Sequence, residues 1–365
     1  MWRAIFFCVS AVQALDVVNY GAFTLTATYS VANQLGFFTA YGLDVIYNQV
    51  PNSTFAYAQV LNGGYDVLTG TIDNAVNLRL NSHENVTVLG QLDQGPDLVL
   101  ASRPDITSVD QLIGKPLIVD SPVSGYAYLL RKLLSANNLT EGTDYFFQVR
   151  CLNLISCLPR IDKRQTVGGT NLRYADLVAG VLPNGTEVFA TMLLYPFTAE
   201  GEVLPASQKP NILARVSDYV NPVSSSAFTT RQSAITNDTE SSLLTRFVSA
   251  MFAANLYLQN PFNKHCATSL IAKQLQVSTE VAKLEYAAAT DPQTGEISPG
   301  GAFSVNVPGL LNVIEVRDEF GGFSALPSNY NFAAAIAPGP GKLIDYTIRN
   351  AALACLKFEL LFQEC

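Results

Sequence analysis

Apolar positions along the first half of the chain alternate between two rhythms. Residues 15–20 carry the β-branched, period-two pattern of a short strand, and the stretch that follows to Gly36 spaces Val31 and Leu35 as a helix does. Residues 42–50 read as a second strand after a glycine turn. Residues 56–61 read as a short helix stopped by Gly63 and Gly64, and residues 65–70 as a third strand. Strands follow at 85–90, 98–102 and 116–120, with a short helix at 109–113. An amphipathic helix then runs to Leu134, with Ser124 placed to cap its first turn. Further on, residues 245–258 and 267–275 are helical, and Ser278 is placed to cap a helix over 280–289. Residues 291–308 are loop-like, and 334–342 form a tail rich in Pro, Gly and Ala. Strands alternating with helices of this length predict an α/β protein with open parallel sheets covered on both faces. No repeat of 20–50 residues is visible.

A chain of 365 residues exceeds what one hydrophobic core organises, so two compact units are expected. The formal net charge of −8, without a run of Lys or Arg, removes the electrostatic footprint that nucleic acid requires. The N-terminus pairs Arg3 with a short apolar run and has small residues at Val12 and Ala14. That is the pattern of an export signal over 1–14, cleaved after Ala14. No later apolar stretch reaches bilayer length, so the mature protein is expected to be secreted, without a membrane span, and monomeric. Five Asn-X-Ser/Thr sequons at Asn52, Asn85, Asn138, Asn184 and Asn237 suit glycosylation on that route. Loss of the signal leaves five cysteines, Cys151, Cys157, Cys266, Cys355 and Cys365, an odd number for a disulfide framework.

Three phrases taken together resemble a known family. They are Gly36-Phe-Phe-Thr-Ala-Tyr-Gly-Leu-Asp-Val45, Gln59-Val-Leu-Asn-Gly-Gly-Tyr-Asp-Val67 and Val109-Asp-Gln-Leu-Ile-Gly-Lys-Pro-Leu-Ile-Val119. In order and spacing they are similar to the substrate-binding proteins of nitrate, alkanesulfonate, taurine and thiamine-precursor importers, a family that includes the fungal thiamine pyrimidine synthases. The resemblance implies a type II periplasmic-binding fold: two α/β lobes joined by two crossing segments, with the ligand held in the cleft between them. On that reading the first lobe takes 15–101 and 226–333 with the C-terminal helices, the second takes 102–225, and 334–365 is a tail. A basic, Cys-bearing stretch at 149–166 reads as an insertion, either translated intron or surface loop.

Ligands of such folds sit at the carboxyl ends of the strands, between domains. Four loops there supply candidates. Phe23, Thr24 and Thr28 offer an aromatic wall and hydroxyls. Thr69, Gly70, Thr71 and Asp73 stand at a helix start, as do Ser121, Ser124 and Gly125. Gly169, Thr170 and the cationic Arg173 come from the second lobe, and Tyr195 is a further candidate. Arg173 in the cleft would pair a carboxylate, sulfonate or phosphate, so the expected ligand is an anionic or polar metabolite.

An enzyme is not expected. The only two histidines, His83 and His265, have no metal-ligand spacing, and no nucleophile elbow, Walker loop or dinucleotide fingerprint is present. No cofactor or metal is expected either. The resemblance leaves two alternatives: the pyridoxal-phosphate-consuming pyrimidine synthase, whose Cys-rich iron-binding run is missing here, and a secreted interaction protein with a vestigial cleft. A cleft filled by its own side chains would count against ligand capture.

Overall fold

The computed structural model describes residues 14–95, 97–148, 168–296 and 302–365. Residues 1–13 of the segment expected to be an export signal, and the 149–166 stretch with Cys151 and Cys157, lie outside them.

Among the described residues, ten strands form two five-stranded sheets. In order they are β1 (Asp16–Ala22), β2 (Leu43–Gln49), β3 (Val67–Thr71), β4 (Val86–Gln91), β5 (Val99–Ser102), β6 (Lys115–Ile118), β7 (Tyr145–Gln148), β8 (Ala190–Leu193), β9 (Asn211–Arg215) and β10 (Ser226–Arg231). The first sheet runs β2-β1-β3-β10-β4 and the second β7-β6-β8-β5-β9. Neither is fully parallel. β10 pairs antiparallel with β3 and β4, and β5 antiparallel with β8 and β9. This corrects the expected parallel sheets, and its cause is topological. Each odd strand is the first one laid down after the chain crosses from one sheet to the other, so it enters from the opposite end. β5 also spans the boundary at 101–102 read from the sequence and belongs to the second sheet.

The principal helices are α1 (Ala27–Gln34), α2 (Ser53–Asn62), α3 (Ile72–Leu80), α4 (Gly125–Ala136), α5 (Thr170–Ala179), α6 (Phe197–Glu202), α7 (Asp238–Gln259), α8 (Lys264–Leu275), α9 (Thr279–Ala289), α10 (Val307–Glu319) and α11 (Thr347–Ala354). Local chemistry sets many of their starts. Thr26, Asn52, Ser124, Asn237 and Ser278 each accept a hydrogen bond from a first-turn amide, and Gly63 ends α2 in the left-handed conformation at φ 75°. Removing one such cap costs about 1 kcal/mol. Ser278→Ala is therefore expected to lower the unfolding free energy by about that amount, read by urea titration; an unchanged midpoint would mean that water replaces the cap.

α4 buries Leu129, Leu130, Leu133 and Leu134 along one face. The fully buried β3 is the central strand of the first sheet, closed in on both faces. α10, which falls at the end of what reads as loop, packs against both α3 and α4 and so straddles the two lobes. The C-terminal stretch is no free tail. Ile344 bridges to Val88 of β4, α11 packs on α7, and Cys365 is disulfide-bonded to Cys266 of α8. Cys355 is exposed and unpaired. No described helix is long and apolar enough to cross a membrane.

Candidate functional site

The two crossing segments connect the sheets side by side. Asp93 on the first accepts from the amides of Gly95 (3.0 Å) and Ser226 (3.1 Å), tying it to the start of β10 on the second. Gln91 accepts from the Ser224 hydroxyl at 2.6 Å. Above these crossings the carboxyl ends of β1, β3 and β6 and the start of α5 face one another.

Phe23, Ser53, Thr71, Asp120, Ser124, Tyr126, Thr170 and Arg173 enclose the space between the lobes. That space is small. About 10 Å³ remains, room for roughly one water molecule. The lobes are closed on each other through direct bonds. The Asp120 carboxylate accepts from the Ser53 amide (3.2 Å) and hydroxyl (2.5 Å), and the Asn74 side-chain oxygen accepts from the Gly125 amide (3.0 Å). Two glycines permit this approach. A Cβ on Gly125 would stand 2.7 Å from Thr71 and 2.8 Å from Asp73, and one on Gly169 would stand 2.7 Å from the Val50 carbonyl. Beside this cleft, Ser53, Tyr57, Asn74, Ser121, Val123 and Ser124 line a more open, mainly apolar groove of about 260 Å³.

Of the residues singled out from sequence, Phe23, Thr71, Ser124, Thr170 and Arg173 line the cleft. Ser121 lines the groove beside it, and Gly125 and Gly169 sit at the seam. Others have their polar atoms committed within the chain. The Thr69 hydroxyl accepts from Tyr20 (2.8 Å), and the Thr28 hydroxyl accepts from Asn255 (2.9 Å). Both Asp73 oxygens are held by Arg317, at 2.7–2.9 Å. Gly70 is pressed near the Tyr57 hydroxyl, and Thr24 is buried. Tyr195 is buried with its hydroxyl unpartnered.

Arg173 is not a free cation. Its guanidinium donates to Thr191, Thr170 and the carbonyls of Gly168 and Met192, and it lies 4.0 Å from Asp120. Burial pulls its pKa down and the neighbouring Asp120 pushes it back. Ser53, Asp120 and Tyr126 escaped the sequence reading. Asp120 and Tyr126 fall inside a loop that was singled out, whereas Ser53 follows Asn52 at the start of α2, where a hydroxyl reads as capping chemistry.

Burial raises the pKa of Asp93 to about 6 and that of Glu296 to about 7, although hydrogen bonds partly relieve both. Glu296 accepts from the amides of Ala27 (2.8 Å) and Thr28 (2.7 Å), so the chain's own carboxylate occupies the N-terminus of α1. His83 and His265 are both exposed, and no group of three metal-ligating side chains occurs among the described residues.

Residues 24–157 match the family described as NMT1/THI5 like. The periplasmic nitrate-binding protein of Synechocystis superposes with a TM-score of 0.67 at 13% identity, covering 94% of this chain and 90% of that one. The alkanesulfonate-binding protein of Xanthomonas axonopodis gives 0.62 at 12% identity, covering 87% and 96%. A Candida albicans gene product described as having the generic periplasmic binding protein fold gives 0.56 at 17% identity, covering 88% and 93%. No curated protein sequence matches. Residues 24–157 therefore carry the sequence pattern of the NMT1/THI5-like family, on a chain whose fold is that of the periplasmic binding proteins.

Proposed function

We propose that this protein is an exported small-molecule binder that captures its ligand by closing two lobes about their crossing segments. The observation that carries the reading is the seam itself. Polar side chains and helix starts of both lobes converge on one cleft and bond across it, Ser53 to Asp120 and Gly125 to Asn74. The chain's own side chains fill the cleft, which counts against capture unless the lobes part, because the enclosed space is too small for a metabolite. Two features support export. The Cys266–Cys365 disulfide suits an oxidising compartment, and the five sequon asparagines stand at the surface, four exposed and Asn52 half-buried. The nitrate- and alkanesulfonate-binding relatives support a small polar ligand.

Gly125→Leu tests closure directly. The three atoms nearest to the added Cβ belong to Thr71 and Asp73 across the seam, so the wedge presses on the facing lobe and props the cleft. Small-angle scattering is expected to give a larger radius of gyration than for the parent, and ligand affinity is expected to fall at least about tenfold. An unchanged radius together with unchanged binding would sink the closure mechanism.

A further inference from the structure

Deep between the lobes, acid meets acid. α9 of the first lobe packs against α6 of the second. Glu285 on α9 is completely buried, and neither of its carboxyl oxygens has a partner. Tyr195, just ahead of α6, is 1% exposed, and its hydroxyl is also unpartnered. The phenol lies within electrostatic reach of Glu296, Asp93, Glu285 and Tyr126, and Glu285 within reach of Glu296 and Glu200. No base answers them among the described residues. Arg173 is tied to its own lobe and Asp120, and Arg317 to Asp73. The anion-welcoming end of α1 is already filled by Glu296.

We propose that the ligand held between the lobes is a protonated amine, its ammonium group seated against Tyr195, Glu285 and Glu296 beside the cleft, and not a nitrate- or sulfonate-like anion. The inference rests on the binding-protein reading and names its ligand class. Three buried acceptor atoms without hydrogen-bond partners among the described residues, two on Glu285 and one on Tyr195, equal in number the three N–H donors of a primary ammonium. An anion would meet buried carboxyls and no free cation, whereas an ammonium supplies the missing charge and the missing donors together. Burial first, and the neighbouring carboxylates after it, raise the pKa of Glu285 and Glu296, which favours their protonated forms while no cation is present. An arriving cation displaces the protons, and binding releases them to the medium.

The experiment is calorimetry and thermal shift on the full chain with methylammonium and putrescine against nitrate and ethanesulfonate. The amines are expected to bind and raise the melting temperature, and the anions to do neither. The binding heat is expected to change between buffers of different ionisation enthalpy, as proton release requires. Glu285→Gln keeps the shape and removes the charge, and is expected to weaken amine binding at least about tenfold. Tyr195→Phe provides the same test should the first variant fail to fold. Binding of the anions without the amines would overturn the cation and leave the binding protein standing; amine binding indifferent to both substitutions would overturn the seat. Binding of neither class would remove this inference, and an unaltered scattering radius together with unaltered binding in Gly125→Leu would separately remove the closure reading.

Discussion

Arg317→Leu is expected to lower the free energy of unfolding by about 3–5 kcal/mol, the cost of leaving a buried charge without its partner. Arg317 on α10 is 1% exposed and Asp73 on α3 is 2% exposed. The guanidinium grips both carboxylate oxygens, Nε at 2.9 Å to each and a terminal nitrogen at 2.7 Å. The same side chain reaches the Val123 carbonyl (3.1 Å) and lies 4.2 Å from the centre of the Tyr128 ring, so it joins α10 to the second lobe as well. Urea unfolding measures the loss. The double variant Arg317→Leu with Asp73→Leu is expected to recover most of it, because a buried pair replaced by apolar groups leaves no uncompensated charge. A single-variant loss below about 1 kcal/mol would mean that the Asp73 carboxylate reaches water once freed.

The second large effect is a decline in stability as the medium turns from acid to neutral. Unfolded, Asp93 and Glu296 titrate near their ordinary values of 3.8 and 4.5; folded, burial lifts them to about 6 and about 7. Between those limits the folded chain holds protons that the unfolded chain has released. Their contribution is therefore fully present below about pH 4 and is lost as the pH climbs through 6 and 7. Each shift corresponds to a change on the order of 3 kcal/mol. Asp105 and Asp291 are lowered and act in the opposite sense, but both are solvated and contribute little. Chemical denaturation at intervals from pH 4 to pH 8 measures the profile, and Glu296→Gln is expected to flatten its upper part. Stability that rises across this range would show that the buried carboxyls stay ionised without penalty.

How much of this was legible beforehand follows from the range of the forces involved. The strand positions of the first half, the caps at Ser124 and Ser278, and the loops carrying Phe23, Thr71, Ser124, Thr170 and Arg173 are local signals, written in spacing and in turn chemistry. α10 was missed because Pro308 and Gly309 open it and its buried residues face two lobes at once, which blurs a single apolar stripe. Asp73 looked like an open carboxylate at a helix start. Its partner stands 244 positions away, and no local pattern connects them.

By itself the sequence determined the alternation of strand and helix, the likeness of residues 36–45, 59–67 and 109–119 to a substrate-binding family, and which loops lie at strand ends, because each depends on neighbours a few residues apart. Only the tertiary structure decided which charges stay free. It tied Arg173 to its own lobe, set Glu296 on the start of α1 and left Glu285 and Tyr195 without partners, since pairing and desolvation depend on contacts made after the chain has crossed twice between its sheets.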